Sequence, residues 1–224
     1  MNTPIIACDG LHFAYAGGSP VLTGLSLAVY PGERLGLTGA NGCGKSTLLQ
    51  LLVGLMRPQR GTVHIFGGRC ATEPDFQAVR GRVGLLFQDP DDQLFCATVG
   101  EDVAFGPLNQ GKPPDRVQAD VGRVLGQVGL AGFEERVTYR LSGGEKRLVA
   151  LAGVLAMAPE VLLLDEPVAG LDEDAAARIT RILAGLPQAM IVVAHDRPFL
   201  DAVTNRQCRM QGGALTAPGE LGGT

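Results

Sequence analysis

Two kinds of apolar patterning divide the chain. Over the first third, short β-like runs (IIAC, LHFAY, LSLAVY and TVHIF) are separated by the turn residues DG, GGSP and PGE. Such runs between Gly, Pro and Asp predict a small antiparallel sheet. Three later runs are nearly all apolar and lead into a polar residue: LLF at 85–87, VLLLD at 161–165 and IVVAH at 191–195. Strands without alternation suit a parallel sheet covered on both faces. In such α/β sheets, ligands sit just past the carboxyl ends of the strands.

A third period lies between these runs. Val117, Val121, Val124, Leu125 and Val128 recur at offsets of four, seven, eight and eleven, which is one face of a helix over 115–128. Pro113 and Pro114 stand just before it, where a helix tolerates proline. Residues from about 89 to 158 are read as a mostly helical insertion between two strands of a parallel core. The fold class is α/β.

Composition narrows the picture in three ways. The chain has 224 residues, 46% hydrophobic and 19% charged, which is ordinary for a globular protein and enough for one large core or two modest ones. Its formal net charge of −4 weighs against coating nucleic acid, and no nucleic-acid partner is expected. The five cysteines, at 8, 43, 70, 96 and 208, are odd in number and lack CxxC spacing. That argues against a disulfide framework or a zinc site and for a reducing compartment. No apolar run approaches the ~18–20 residues of a membrane helix, and the N-terminus lacks the pattern of a secretory signal.

Chemistry enters with GANGCGKST at 39–47. The stretch fits G-x-x-x-x-G-K-[ST], the phosphate-binding loop. Small residues let consecutive N–H groups turn inward as a nest for anionic oxygens. The helix STLLQLLVGL that follows offers its positive end to the same charge. Gly39, Asn41, Gly42, Cys43 and Gly44 build the loop, Lys45 reaches the β- and γ-phosphates, Ser46 ligates Mg²⁺, and Thr47 adds a hydroxyl. Cys43 is unusual between these glycines. Beside Lys45 and the backbone amides it is expected to react with thiol reagents, and bound ATP is expected to protect it.

Two more motifs follow. In VLLLDEP, Asp165 emerges from a buried strand to hold Mg²⁺ and Glu166 is placed to polarise an attacking water. In LSGGE at 141–145, Ser142 and Glu145 form a capping box that opens the helix EKRLVALAGVLAMA, with Pro159 after it. Two glycines at a helix N-terminus make a second anion site. One molecule does not need both sites for one γ-phosphate, but two molecules facing each other would use them together.

With these motifs in order, the sequence resembles the nucleotide-binding subunit of ABC transporters over nearly its whole length. The resemblance rests on GANGCGKST, Gln88 after a strand, LSGGE, VLLLDEP, AGLD at 169–172 and His195 after a strand. It implies an ABC-type P-loop domain over 1–224, with an antiparallel β-subdomain, a RecA-like parallel core and the helical subdomain at about 89–158. It also implies a head-to-tail dimer, a homodimer in the simplest case, holding two ATP with Mg²⁺. Each ATP would meet the phosphate loop of one copy and Ser142, Gly143 and Gly144 of the other. Asp165 and Gln88 would complete the Mg²⁺ and water environment, Glu166 would be the general base, and His195 would hold the γ-phosphate. Asp172 would link the two sites, and Tyr15 resembles the aromatic that stacks on adenine. His12 and His64 are read as ordinary sheet residues.

The stretch FQDPDDQLFCATVGEDVAFGPLN at 87–109 resembles the same segment in energy-coupling factor importers. There, Gln93 and its neighbours line a groove for the coupling helix of a membrane partner. Asp89, Asp91 and Asp92 beside Leu94 and Phe95 would suit a partner helix with an Arg and small apolar residues. The resemblance thus implies an ATPase on the cytoplasmic face of a membrane, working with a transmembrane coupling subunit and a substrate-binding membrane subunit. After IVVAHDRPFLDAVTN the chain is read as only a glycine-rich tail, which resembles the compact cobalt and nickel systems. The alternatives are an importer of a vitamin such as biotin, or a soluble cassette that scaffolds cofactor assembly. A chromosome or DNA-repair ATPase is disfavoured, because Lys45 and Asp165 lie 120 residues apart with no heptad run between them. Val168 departs from the more usual Thr or Ser after DEP, with little effect expected.

Overall fold

The computed structural model describes residues 3–216. In chain order its strands and helices are β1 (Ile6–Ala14), β2 (Pro20–Val29), β3 (Arg34–Gly39), α1 (Lys45–Leu52), β4 (Arg60–Ile65), β5 (Gly68–Cys70), α2 (Glu73–Arg80), β6 (Val83–Leu86), α3 (Val99–Asn109), α4 (Pro114–Gln127), α5 (Gly143–Ala156), β7 (Val161–Asp165), α6 (Glu173–Gly185), β8 (Ala189–Val193), α7 (Arg197–Val203), β9 (Arg206–Gln211) and β10 (Ala214–Thr216). Two compact units emerge. The first takes the residues up to 80 and those from 187 onward, and the second is residues 81–186.

The first unit holds the expected antiparallel sheet, in the order β2-β1-β4-β5. IIAC and LHFAY are one strand, not two. Cys8 faces Leu27 and Leu11 faces Leu25, so the ladder is irregular around Gly10. There Gly10 N–H donates to Ser26 Oγ at 2.9 Å, and Ser26 in turn donates to Asp9. A bulge of this kind keeps the strand's apolar set on one face despite the extra residue. Ile6, Leu11, Leu22, Leu25, Val29 and Ile65 are buried beneath the sheet.

The same unit carries a parallel set in which β3 lies between β8 and β9. Leu35, Leu37 and all five residues of β8 are buried, as a run without alternation requires. The glycine-rich tail expected after Asn205 is corrected here. Residues 206–216 form a hairpin, with β9 parallel to β3 and β10 antiparallel to β9. Thr23 closes the hairpin's turn onto β2, donating through both its groups: N–H to Gly213 O at 3.1 Å and Oγ1 to Gly212 O at 2.8 Å. The remainder of the expected tail, 217–224, lies outside the described residues.

In the second unit β6 and β7 pair in parallel, Val83 opposite Val161 through Leu86 opposite Leu164. Between them the chain forms α3, α4 and α5, which pack on one another. The helix expected over 115–128 is α4, with Pro113 as its N-cap, Pro114 in its first turn, and Val117, Val121, Val124 and Leu125 buried. Helix α3 is opened by a capping box of Thr98 and Glu101. Helix α5 is opened by the Ser142–Glu145 box expected from LSGGE.

Candidate functional site

Strand β3 delivers the glycine loop, and α1 begins at Lys45 directly after it. Gly39 and Gly44 are required by both conformation and space. Their φ values are +150° and +105°, in the region that L side chains avoid. A Cβ on Gly39 would lie 2.5 Å from Met210 O, and one on Gly44 would lie 2.8 Å from a Val21 methyl. The loop is therefore seated on β9 and β2. Lys45 is only 7% exposed, and its ammonium donates to Gly39 O at 2.8 Å and Ala40 O at 3.1 Å. A cation folded back over its own loop is pre-positioned for anionic oxygens in the same nest. Asn41 and Gly42 are exposed, and Cys43 and Ser46 half-buried.

Tyr15 is held at this loop by its hydroxyl, which shares a 2.9 Å hydrogen bond with Thr47 Oγ1. Its ring stands edge-on to Phe13 at 5.0 Å and is 47% exposed. His195 follows β8 after one residue and is exposed, not buried in the core. Asp196 beside it caps α7 by accepting from Phe199 N–H at 2.7 Å. The first unit thus brings Tyr15 together with the phosphate loop, and sets His195 past the carboxyl end of a strand parallel to β3.

The second unit carries Gln88, Ser142, Gly143, Gly144, Asp165, Glu166 and Asp172. Every residue of β7 is buried, and Asp165 and Glu166 remain only 7% and 8% exposed. Glu166 has φ +48°, a left-handed conformation that a non-glycine residue adopts at a cost and that recurs at functional sites. Gln88 is exposed just beyond β6. Ser142 Oγ accepts from Glu145 N–H at 3.2 Å, and Ser142 N–H donates to Glu145 Oε2 at 2.8 Å. With those groups satisfied, the amides of Gly143 and Gly144 remain as the open end of α5. A Cβ on Gly144 would lie 3.1 Å from Ala175 Cβ, so the end of α5 approaches the first turn of α6 closely. Asp172 caps that turn, accepting from Ala175 N–H at 2.8 Å. Val168 is buried.

Arg147 is the residue that the sequence reading missed. It is 5% exposed, and its Nη1 donates to Phe87 O, the carbonyl just before Gln88, at 2.9 Å. Burial pushes the guanidinium pKa down, while Asp89, Asp165 and Glu166 push it back up. A buried cation thus offsets three carboxylates at the strand ends, where their mutual repulsion would otherwise raise the cost of burial. The available signal was a charged residue on the face of α5 that also carries Leu148 and Leu151.

Asp102 is a second such residue. It is 9% exposed, and its Oδ1 accepts from the amides of both Phe95 and Cys96 at 3.0 Å. It thereby fixes the loop that presents Phe95, which is 65% exposed and edge-on to Phe105 at 4.7 Å. Burial first, then Asp102, push the Cys96 thiol up to about 11.

A family model described as ABC transporter matches residues 22–169, more than half of the chain. A cobalt import ATP-binding protein of Rhodobacter capsulatus is 46% identical over 222 residues, covering 97% of this chain and 79% of that one. An energy-coupling factor transporter ATP-binding protein of Methanothermobacter thermautotrophicus is 45% identical over 219 residues, covering 96% of this chain and 70% of that one. Among solved structures, cbiO1 of Clostridium perfringens, described as part of the ABC transporter complex cbiONQ, superposes with a TM-score of 0.84. It is 33% identical, and the match covers 96% of this chain and 87% of that one.

Proposed function

The chain belongs to the ABC transporter family, and from that premise we infer that it is the ATP-hydrolysing subunit of an energy-coupling factor importer for cobalt or nickel ions. The observation that carries the reading is the open amide end of α5 at Gly143 and Gly144, in a chain that already has a phosphate loop. Two anion-binding helix ends in one chain are used together when two copies meet head to tail around two ATP. The names of the cobalt import and energy-coupling factor relatives support the importer class and the metal cargo.

The residues present fit the nucleotide and its metal. The seat of Gly39 and Gly44 admits no side chain, so the loop would meet phosphates with its backbone. Ser46 in the first unit and Gln88 and Asp165 in the second each carry a hard oxygen donor of the kind Mg²⁺ takes, and would hold it if brought together. Bound there, Mg²⁺ supplies charge neutralisation on the phosphates. The protein supplies the rest. Lys45 swings from its own carbonyls to the β- and γ-oxygens. Glu166 orients the attacking water and takes its proton, and His195 holds the γ-phosphate. Ser142 and the amides after it close the site from the second copy, with Asp172 near that junction. Tyr15 stacks on adenine and steadies Thr47 through its hydroxyl. Hydrolysis would break the bond between the β- and γ-phosphates, with ADP as the leaving group, and departure of the freed phosphate would undo the grip that both copies share, so that the dimer opens.

No helix among the described residues is long and apolar enough to cross a membrane. The subunit works at the cytoplasmic face by docking on a membrane partner. The face around Phe95, Phe105 and Asp92 takes a partner helix with small apolar residues and an Arg. The test is co-purification of the chain from its host's membranes, followed by metal uptake with reconstituted complex. Cobalt or nickel uptake that requires ATP is the expected result. A chain that captures no membrane protein, or a complex that moves neither metal, overturns the reading.

A further inference from the structure

Three bonds stitch the segment 87–95 to α5. Lys146 Nζ donates to Asp91 Oδ1 at 2.6 Å. Arg147 Nη1 donates to Phe87 O at 2.9 Å. Gln93 Nε2 donates to Ala150 O at 3.3 Å, while Gln93 Oε1 accepts from Phe87 N–H at 3.2 Å. Positions 146, 147 and 150 lie within the first two turns of α5, and Lys146 N–H donates to Ser142 O at 2.9 Å. One backbone hydrogen bond therefore joins the residue that holds Asp91 to the residue that caps the open helix end.

The segment is internally braced as well. Asp91 N–H donates to Asp89 Oδ1 at 2.9 Å, and Gln93 and Leu94 N–H both donate to Pro90 O. A segment this short, braced within and pinned at three points, has little freedom to move apart from the helix. Two of the three pins use backbone carbonyls. The Lys146–Asp91 pin joins two side chains, so its charges can be exchanged. The Lys146 side chain is 20% exposed, which shields the pair from full solvent screening even though Asp91 is 66% exposed.

We propose that Lys146 is a positioning residue: its ion pair with Asp91 fastens the partner-facing segment 87–95 to α5, so that the segment and the Ser142–Gly144 helix end move as one body. The proposal rests on the reading of Ser142–Gly144 as a nucleotide contact only for the direction in which motion is delivered. Nucleotide gripped at the helix end then shifts the segment that meets the membrane partner, and docking at the segment resets the helix end. It also changes how a reversal of Asp91 must be understood. Such a variant loses an internal pin as well as a docking charge, whereas Asp92, tied into the segment by its own N–H to Asp89 O at 3.2 Å, reports on docking.

The experiment is hydrogen exchange read by mass spectrometry on the full chain. The variants are Lys146→Glu, Asp91→Lys, the exchanged pair carrying both, and Lys146→Arg. Without nucleotide, peptides spanning 87–95 are expected to exchange about fivefold faster in each single reversal, the scale of a partly exposed ion pair. They should return to within about twofold of wild type in the exchanged pair and in Lys146→Arg. With AMP-PNP and Mg²⁺, wild type should gain protection at 142–147 and at 87–95, and the single reversals at 142–147 alone. Peptides from the β1–β2 sheet serve as the folding control. Unchanged exchange at 87–95 in both single reversals overturns the proposal. So does an exchanged pair that folds but does not restore protection. Should wild type show no nucleotide protection at 142–147, the head-to-tail reading fails, while the nucleotide-free comparison still decides the pin.

Discussion

Two helices of the second unit open on the same capping box, and this provides an internal control for the role of Ser142. In α5, Ser142 Oγ and Glu145 satisfy each other's backbone amides at 3.2 and 2.8 Å; in α3, Thr98 Oγ1 and Glu101 do so at 3.3 and 3.0 Å. Ser142→Ala and Thr98→Ala each remove one hydroxyl acceptor of near-equal geometry. Each should cost about 1 kcal/mol, which lowers the melting temperature by about 2–4 °C in a chain of this size. Their effects on hydrolysis should differ. If Ser142 also bonds the γ-phosphate of the facing copy, its loss removes a hydrogen bond to a charged group, about 1.5–3 kcal/mol. That is roughly a tenfold to hundredfold fall in turnover. Thr98→Ala should hydrolyse ATP within about twofold of wild type. Scanning calorimetry and phosphate release on the isolated subunit measure both quantities. Equal losses of turnover in the two variants would show that Ser142 is a cap and nothing more, and the shared-nucleotide argument would fail.

Three further outcomes are expected. Glu166→Gln should slow hydrolysis by roughly 10²–10⁴ and accumulate an ATP-bound dimer on gel filtration; normal turnover would remove Glu166 from the role of base. A maleimide at pH 8 should label Cys43, with ATP and Mg²⁺ protecting it. Cys8 and Cys96 should stay unlabelled, because burial raises their thiols to about 12 and about 11, so the thiolate that reacts appears only well above pH 8. Peptide mapping that finds Cys96 labelled ahead of Cys43 would contradict this. Asp102→Ala should destabilise the fold by about 1–3 kcal/mol, since it leaves the Phe95 and Cys96 amides without their acceptor. A denaturant titration with an unchanged midpoint would refute it.

What could be read in the sequence was what side chains announce. Runs such as VLLLD and IVVA are apolar on both faces because both faces are covered, and they became β7 and β8. The period of Val117 to Leu125 became the buried stripe of α4. Ser142 with Glu145 declared a helix start by its own chemistry. What stayed hidden was held by the backbone or by distance along the chain. Strand β9 reads RQCRMQ, and of its six residues only Met210 is buried. Its pairing with β3 uses amides and carbonyls that every residue carries, so composition alone made it a tail. The union of IIAC and LHFAY depends on an irregular register at Gly10, which no alternation reveals. Arg147 looked like one more charge on a helix because its partners, the Phe87 carbonyl and the carboxylates at 89, 165 and 166, lie far from it in sequence.

The seat of the phosphate loop fixes an order of assembly. Strand β3 ends in Gly39, and its two neighbours in the sheet are the far later strands β8 (Ala189–Val193) and β9 (Arg206–Gln211). The carbonyl that backs Gly39 belongs to Met210. A ribosome that has just made α4 has therefore written the glycine loop without yet making the wall it rests on. A product cut short near residue 205 would lack the carbonyl that backs Gly39, and its glycine loop would have no wall to rest on.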